Sequence, residues 1–246
     1  MTFNFKDARD RFFWGSFWHD DNCRKLDVCN PNDVVLAVNK AYDDMTPRTI
    51  SGLGLSEDKL STNDKKNKNY INLKTKKKNF LDGLRNDLAQ KIVDEVFIKN
   101  IFNDTVHNDL CNHFKTQFEK VINDLNKDIV TIQSQIPAIK EINIKKITYG
   151  KAQKIVNMSM KYLYFFDDAN NYVSTVFNKC HMAIDEYIMK FFDSKGYKRK
   201  VDRWSNFDKK TYNDYRTEVV NDYCSKDGKL PFFAEFDYWN QGRKLP

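Results

Sequence analysis

From Val106 to Ile132 apolar residues return every three or four positions, through Leu110, Phe114, Phe118, Val121, Leu125 and Ile129, and the first proline follows only at Pro137. That spacing lays one apolar stripe along about seven turns of α-helix, whereas a half-buried strand would alternate every second residue. Leu84, Leu88, Ile92 and Val96 form a second stripe just upstream, so residues 80–136 predict two long paired helices. Composition points the same way. The 246 residues include 19 Phe, 12 Tyr and 4 Trp but only 8 Gly and 5 Pro, which leaves few turns for a β fold. The expected class is therefore all-α: an irregular multi-helix bundle forming a single helical domain over 1–246, with one small edge β element and a long basic loop.

The remaining elements follow from caps and breakers. Asn30-Pro31-Asn32 supplies a helix start; Val34, Val35, Val38, Ala41 and Tyr42 share a face as far as Met45, and Pro47 closes it. Residues 171–192 carry Val176, Phe177, Cys180, Ile184, Ile188 and Phe191 at helical spacing, with Gly196 as the stop. Ser205 and Asp208 resemble a capping box, opening a helix that aligns Tyr212, Tyr215, Val219 and Tyr223. Pro231 begins a short aromatic helix. The aromatic run FFWGSFWH at 12–19 predicts a core anchor, and INIKKIT at 142–148 is the strand candidate. Residues 51–79, rich in Lys, Asn, Ser and Thr with little apolar period, predict a flexible basic loop.

Charge is distributed unevenly. The formal net charge is +7, and between Glu141 and Asp167 there is no acidic residue. Within that stretch Ala152, Ile155, Val156, Ser159, Tyr162, Leu163 and Phe166 fall on one arc of a helix, while Lys151, Lys154 and Lys161 gather on another flank. Thr148 as N-cap would set the positive end of the helix dipole beside Lys151. Exposed helices usually mix the two signs three or four residues apart, so an unmixed flank predicts a surface for a polyanion. Two further clusters join it: Lys74, Lys76, Lys77 and Lys78 in the expected loop, and Lys198, Arg199, Lys200 and Arg203 in KGYKRKVDRW.

Candidates for chemistry are few. His181 and Asp185, four apart on the expected 171–192 helix, would share a face as an acid/base pair or as two metal ligands. His19, Cys23 and Cys29 lack the close paired spacing of a zinc site, and His107, Cys111 and His113 read as ordinary helix residues, so no metal site is predicted. The chain has no Gly-rich phosphate loop, dinucleotide fingerprint, G-x-S-x-G or H-E-x-x-H motif, and no cofactor is implied. A helix-turn-helix over residues 138–156 would lack the small residue its turn requires. Five widely spaced cysteines predict reduced thiols. No apolar run approaches the roughly 20 residues that span a bilayer, and the N-terminal residues lack signal-peptide character, so the expected setting is cytoplasmic with no membrane partner.

Three readings of function follow. The first is a non-enzymatic helical protein that holds nucleic acid through phosphate contacts from its lysine face. The second is a protein-interaction module that binds an acidic protein or self-associates as a homo-oligomer. The third is a metal-dependent hydrolase or nuclease using His181 and Asp185. The Lys- and Asn-rich composition and the lack of a metabolic signature would suit a phage or mobile-element protein in defence.

Overall fold

The computed structural model describes residues 26–45, 60–139, 147–166, 172, 175–199 and 201–245. Among them the fold is all-α, a multi-helix bundle with no strand or sheet. The aromatic run at 12–19 and residues 142–146 of the strand candidate lie outside the described residues.

Helix α1 (Pro31–Met45) starts where Asn30 Oδ1 accepts the Asn32 N–H, and it buries Val34, Ala37, Val38, Ala41 and Tyr42. Residues 62–79, expected as loop, are helical instead. The short α2 (Thr62–Lys66) is closed by a Ser61–Asp64 capping box, and Asn67 caps α3 (Lys68–Ile92) by accepting the Asn69 N–H. Tyr70, Leu73, Leu84 and Leu88 are buried along α3, with Lys77 and Phe80 half-buried between them. That stripe escapes a hydropathy reading because lysines occupy several of its turns, where their alkyl stems can cover apolar surface while the ammonium stays wet. A π-helical turn, Val93–Phe97, ends α3.

Helix α4 (Asp104–Gln133) begins at Asn103, whose side chain accepts the Val106 N–H. It buries Leu110, Phe114, Phe118, Leu125 and Ile129 as the spacing predicts, with Ile122 rather than Val121 at the core. Helices α3 and α4 pack as a pair, and α1 packs on α3.

Helix α5 (Tyr149–Phe166) runs through the centre, against α1 and α4 and the segments that follow it. Apart from Lys151 and Met158, every residue from Ala152 to Leu163 is buried, polar ones included, so the helix has no solvated flank. Its first turn lies under the Trp204–Asn206 turn. The Gly150 N–H donates to the Phe207 carbonyl, and a Cβ on Gly150 would stand 2.0 Å from the Trp204 carbonyl oxygen.

The helix expected over 171–192 forms only in part. Phe177–Lys179 is a single 3₁₀ turn, residues 180–185 are non-helical, and α6 (Glu186–Ser194) starts at Asp185, which accepts the Tyr187 and Ile188 N–H groups. Asp208, not Ser205, caps α7 (Lys209–Tyr215) by accepting the Thr211 N–H. A π-helical segment, Arg216–Asn221, joins α7 to α8 (Asp222–Lys226). Helix α9 (Pro231–Arg243) then packs along α6, so closely at Gly242 that an added Cβ would lie 1.9 Å from the Tyr187 carbonyl oxygen. No described helix is long and apolar enough to cross a membrane.

Candidate functional site

The acid-free helix finds its acids on other elements. Lys154 Nζ donates to Asp185 Oδ2 at 2.8 Å, and Lys161 Nζ donates to Glu235 of α9. Lys154 and Lys161 therefore do not form a cationic surface: they are 9% and 7% exposed, because α6 and α9 cover the flank that sequence alone leaves open. Lys151 is half-buried, and burial lowers its pKa.

The other clusters are partly neutralised. Arg199 pairs with Asp193 at 2.5 Å and Glu186 at 3.0 Å, Lys76 with Asp128 at 2.5 Å, and Lys78 with Asp82 at 3.3 Å. Lys74 is exposed with its ammonium 5.8 Å from the Tyr70 ring centroid, and Lys77 is half-buried. Lys198 and Arg203 are exposed, and Lys200 lies outside the described residues.

His181 and Asp185 do not share a helical face, since residues 180–185 are non-helical. Asp185 is saturated: it accepts from Lys154, from Trp239 Nε1 at 3.0 Å, and from two backbone N–H groups. Burial alone would raise its pKa, but Lys154 and the backbone donors outweigh that and hold the carboxyl below the usual range. Its role is to cap α6 and tie it to α5 and α9.

His181 has different partners. Its Nε2 lies 3.0 Å from Asp104 Oδ1 and its Nδ1 3.1 Å from the Tyr212 hydroxyl. Burial lowers the His181 pKa against the opposing pull of Asp104, so the ring is neutral near pH 7. The consistent assignment has Nε2–H donating to Asp104 and Nδ1 accepting from Tyr212, whose oxygen accepts from Asn157 Nδ2 at 3.2 Å. The fully buried His107 stacks beside this chain, its ring centroid 4.1 Å from that of His181 and 5.5 Å from that of Tyr212. Burial and the nearby His181 keep His107 well below the ordinary imidazole pKa.

The outer end of the chain opens into a cavity of about 700 Å³. Asp104, His181 and Met182 meet there with Arg216, Lys179 and Lys229. Hydrogen bonding from His181 is the main reason that the Asp104 pKa falls to about 2, with Arg216 adding to it, so Asp104 is ionised. Arg216 Nη2 donates to Asp104 Oδ2 at 2.5 Å, yet Arg216 Nε is buried and has no acceptor among the described residues. Lys179 is exposed and has no carboxylate partner among them, whereas Lys229 is shared with Asp227 at 3.1 Å and Asp237 at 3.6 Å. Three cations thus surround one carboxylate at the cavity wall, a field that attracts anions.

Two irregular helical segments shape this wall. The π turn Val93–Phe97 leads into the Phe102–Thr105 lip, and the π segment Arg216–Asn221 supplies Arg216 and Asn221. π-bulges often occur at functional sites. Of the cavity residues, sequence reasoning singled out only His181. Asp104, Arg216 and Tyr212 are separated from it by 77, 35 and 31 positions, and no local pattern marks them as its neighbours. Among the described residues no group of three His, Cys, Asp or Glu side chains could hold a metal ion. Compared with known proteins, the chain matches no family model, no curated protein and no solved structure.

Proposed function

We propose that the protein binds nucleic acid or a related phosphate-bearing ligand, and that the grip lies in the cavity beside His181 rather than on the face of α5. The observation that carries this reading is Arg216. Its guanidinium spends one nitrogen on Asp104 and leaves a buried Nε–H without an acceptor among the described residues. A buried unsatisfied donor costs about 1–3 kcal/mol, and the edge formed by Nε and an Nη is the fork that phosphate oxygens bind with two hydrogen bonds. Lys179 and Lys229 add point charges from the same wall.

Catalysis is the weaker use of this site. Both ring nitrogens of His181 are engaged, and Asp104 at about 2 is a poor base near neutrality. The cavity residues instead suit binding, with Asp104 and Tyr212 fixing the ring that forms part of the wall.

Fluorescence anisotropy with a labelled single strand tests the reading. Arg216→Met and Lys179→Met should each weaken binding about tenfold, roughly 1.4 kcal/mol. With three cations engaged, the slope of log affinity against log salt should be about −2. The reading fails if wild type does not bind in 50 mM salt, or if Lys179→Met, at an exposed position that folding does not need, binds as tightly as wild type.

A further inference from the structure

We infer that the cavity accepts a whole nucleotide unit, base as well as phosphate, either as a free nucleotide or as the unpaired end of a strand, and that it does not grip a duplex. This rests on the phosphate reading above and names the class of ligand for the same site.

The first argument is size. A cavity of about 700 Å³ lies in the range that encloses a drug-sized ligand and far exceeds what one phosphate group fills.

The second argument is the division of the lining. The cations Lys179, Arg216 and Lys229 account for the phosphate, while Phe102, Met182, Leu230 and Pro231 supply apolar surface that a bare phosphate would not use. Asn178 and Asn221 also line the cavity, and their side-chain amides have no hydrogen-bond partner among the described residues. A carboxamide offers donors and an acceptor together, the combination that pairs with the exposed edge of an unstacked base.

The third argument concerns duplexes. A duplex carries a phosphate charge about every 1.7 Å along its axis and calls for a row of cations. Here the exposed lysines beside the cavity are neutralised along their own helices: Lys210 pairs with Asp214 at 2.6 Å, and Lys226 with Asp222 at 2.6 Å. Positive charge is left concentrated at a concavity instead of extended along a face.

Calorimetric titration of the full chain with adenosine monophosphate and with ribose 5-phosphate separates base from phosphate. Anisotropy with a duplex bearing a 3′ overhang, against a blunt duplex of equal length, separates a strand end from a double helix. The nucleotide should bind about tenfold more tightly than the sugar phosphate, the overhang about tenfold more tightly than the blunt end, or both. Binding of the monophosphate alone identifies the ligand as a free nucleotide; binding of the overhang alone identifies it as a strand terminus. Asn178→Ala with Asn221→Ala should erase the preference while leaving ribose 5-phosphate affinity unchanged. If monophosphate and sugar phosphate bind alike and blunt duplex matches overhang, the base-binding inference falls while the phosphate site stands. If none of the four probes binds, both fall.

Discussion

Lys161 and Glu235 form an ion pair sealed inside the protein, 74 residues apart in sequence, with Glu235 wholly buried and its second oxygen accepting the Ala183 N–H at 2.8 Å. Burial lowers the Lys161 pKa and Glu235 draws it back. The pair fixes α9 against α5 and against the non-helical segment that carries His181.

Breaking that pair from one side should cost about 3–5 kcal/mol, because an uncompensated charge stays buried. Lys161→Met and Glu235→Met should each show this loss in chemical denaturation. The double variant should lose much less than the two together, since no lone charge remains. Strictly additive losses would sink the claim that the two groups are coupled.

Charge reversal along α5 should separate structural lysines from the half-buried one. Lys154→Glu places a carboxylate against Asp185 and should leave the chain unfolded or insoluble, whereas Lys151→Glu should fold. Circular dichroism of the purified variants reads the outcome, and a well-folded Lys154→Glu variant would contradict the buried pair.

The two histidines predict a pH response. Burial holds both His107 and His181 below the ordinary imidazole value. The unfolded chain therefore takes up protons more readily, and stability is lost as pH falls below about 6.5, by at most about 1.4 kcal/mol per pH unit for each proton. Asp104 acts in a separate window: depressed to about 2, it withdraws its contribution only as pH falls from about 4 toward its folded value. The melting temperature should drop between pH 7 and pH 5, and His107→Phe should flatten that drop. An unchanged slope would show that His107 does not titrate on unfolding.

Gly242→Ala should destabilise by about 3 kcal/mol, at the upper end of ordinary overpacking, because the added methyl meets backbone rather than a flexible side chain. Gly83→Ala, where a Cβ meets nothing within 4 Å, should instead stabilise α3 by about 0.5–1 kcal/mol. Thermal melts of the two variants should move in opposite directions.

Local pattern accounts for much of the bundle. The stripes that define α4 and α5, and the proline that opens α9, act within one or two helical turns and can be read directly. Lysine-rich α3 is hidden because its buried positions, Tyr70 and Leu73, are diluted by residues that look like solvent. The break at 180–185 is hidden for a different reason. Nothing in CHMAID opposes a helix, but Asn157, Gln153 and Glu235 bind its backbone groups from outside and hold it non-helical. The lysines of α5 are misread for the same cause: their partner acids lie on elements folded against them. The cavity is the least legible part, because Asp104, His181, Tyr212 and Arg216 meet only through tertiary packing.

The π segment Arg216–Asn221 makes the cavity sensitive to chain length. Removing one residue from it would allow an ordinary helix to run from Lys209 through Lys226, and every side chain beyond the deletion would rotate by about 100° around the axis. Cys224 would leave the core and Ser225 the cavity wall, although no residue type there had been changed. Single-codon deletions in this stretch should therefore be tolerated far less than substitutions.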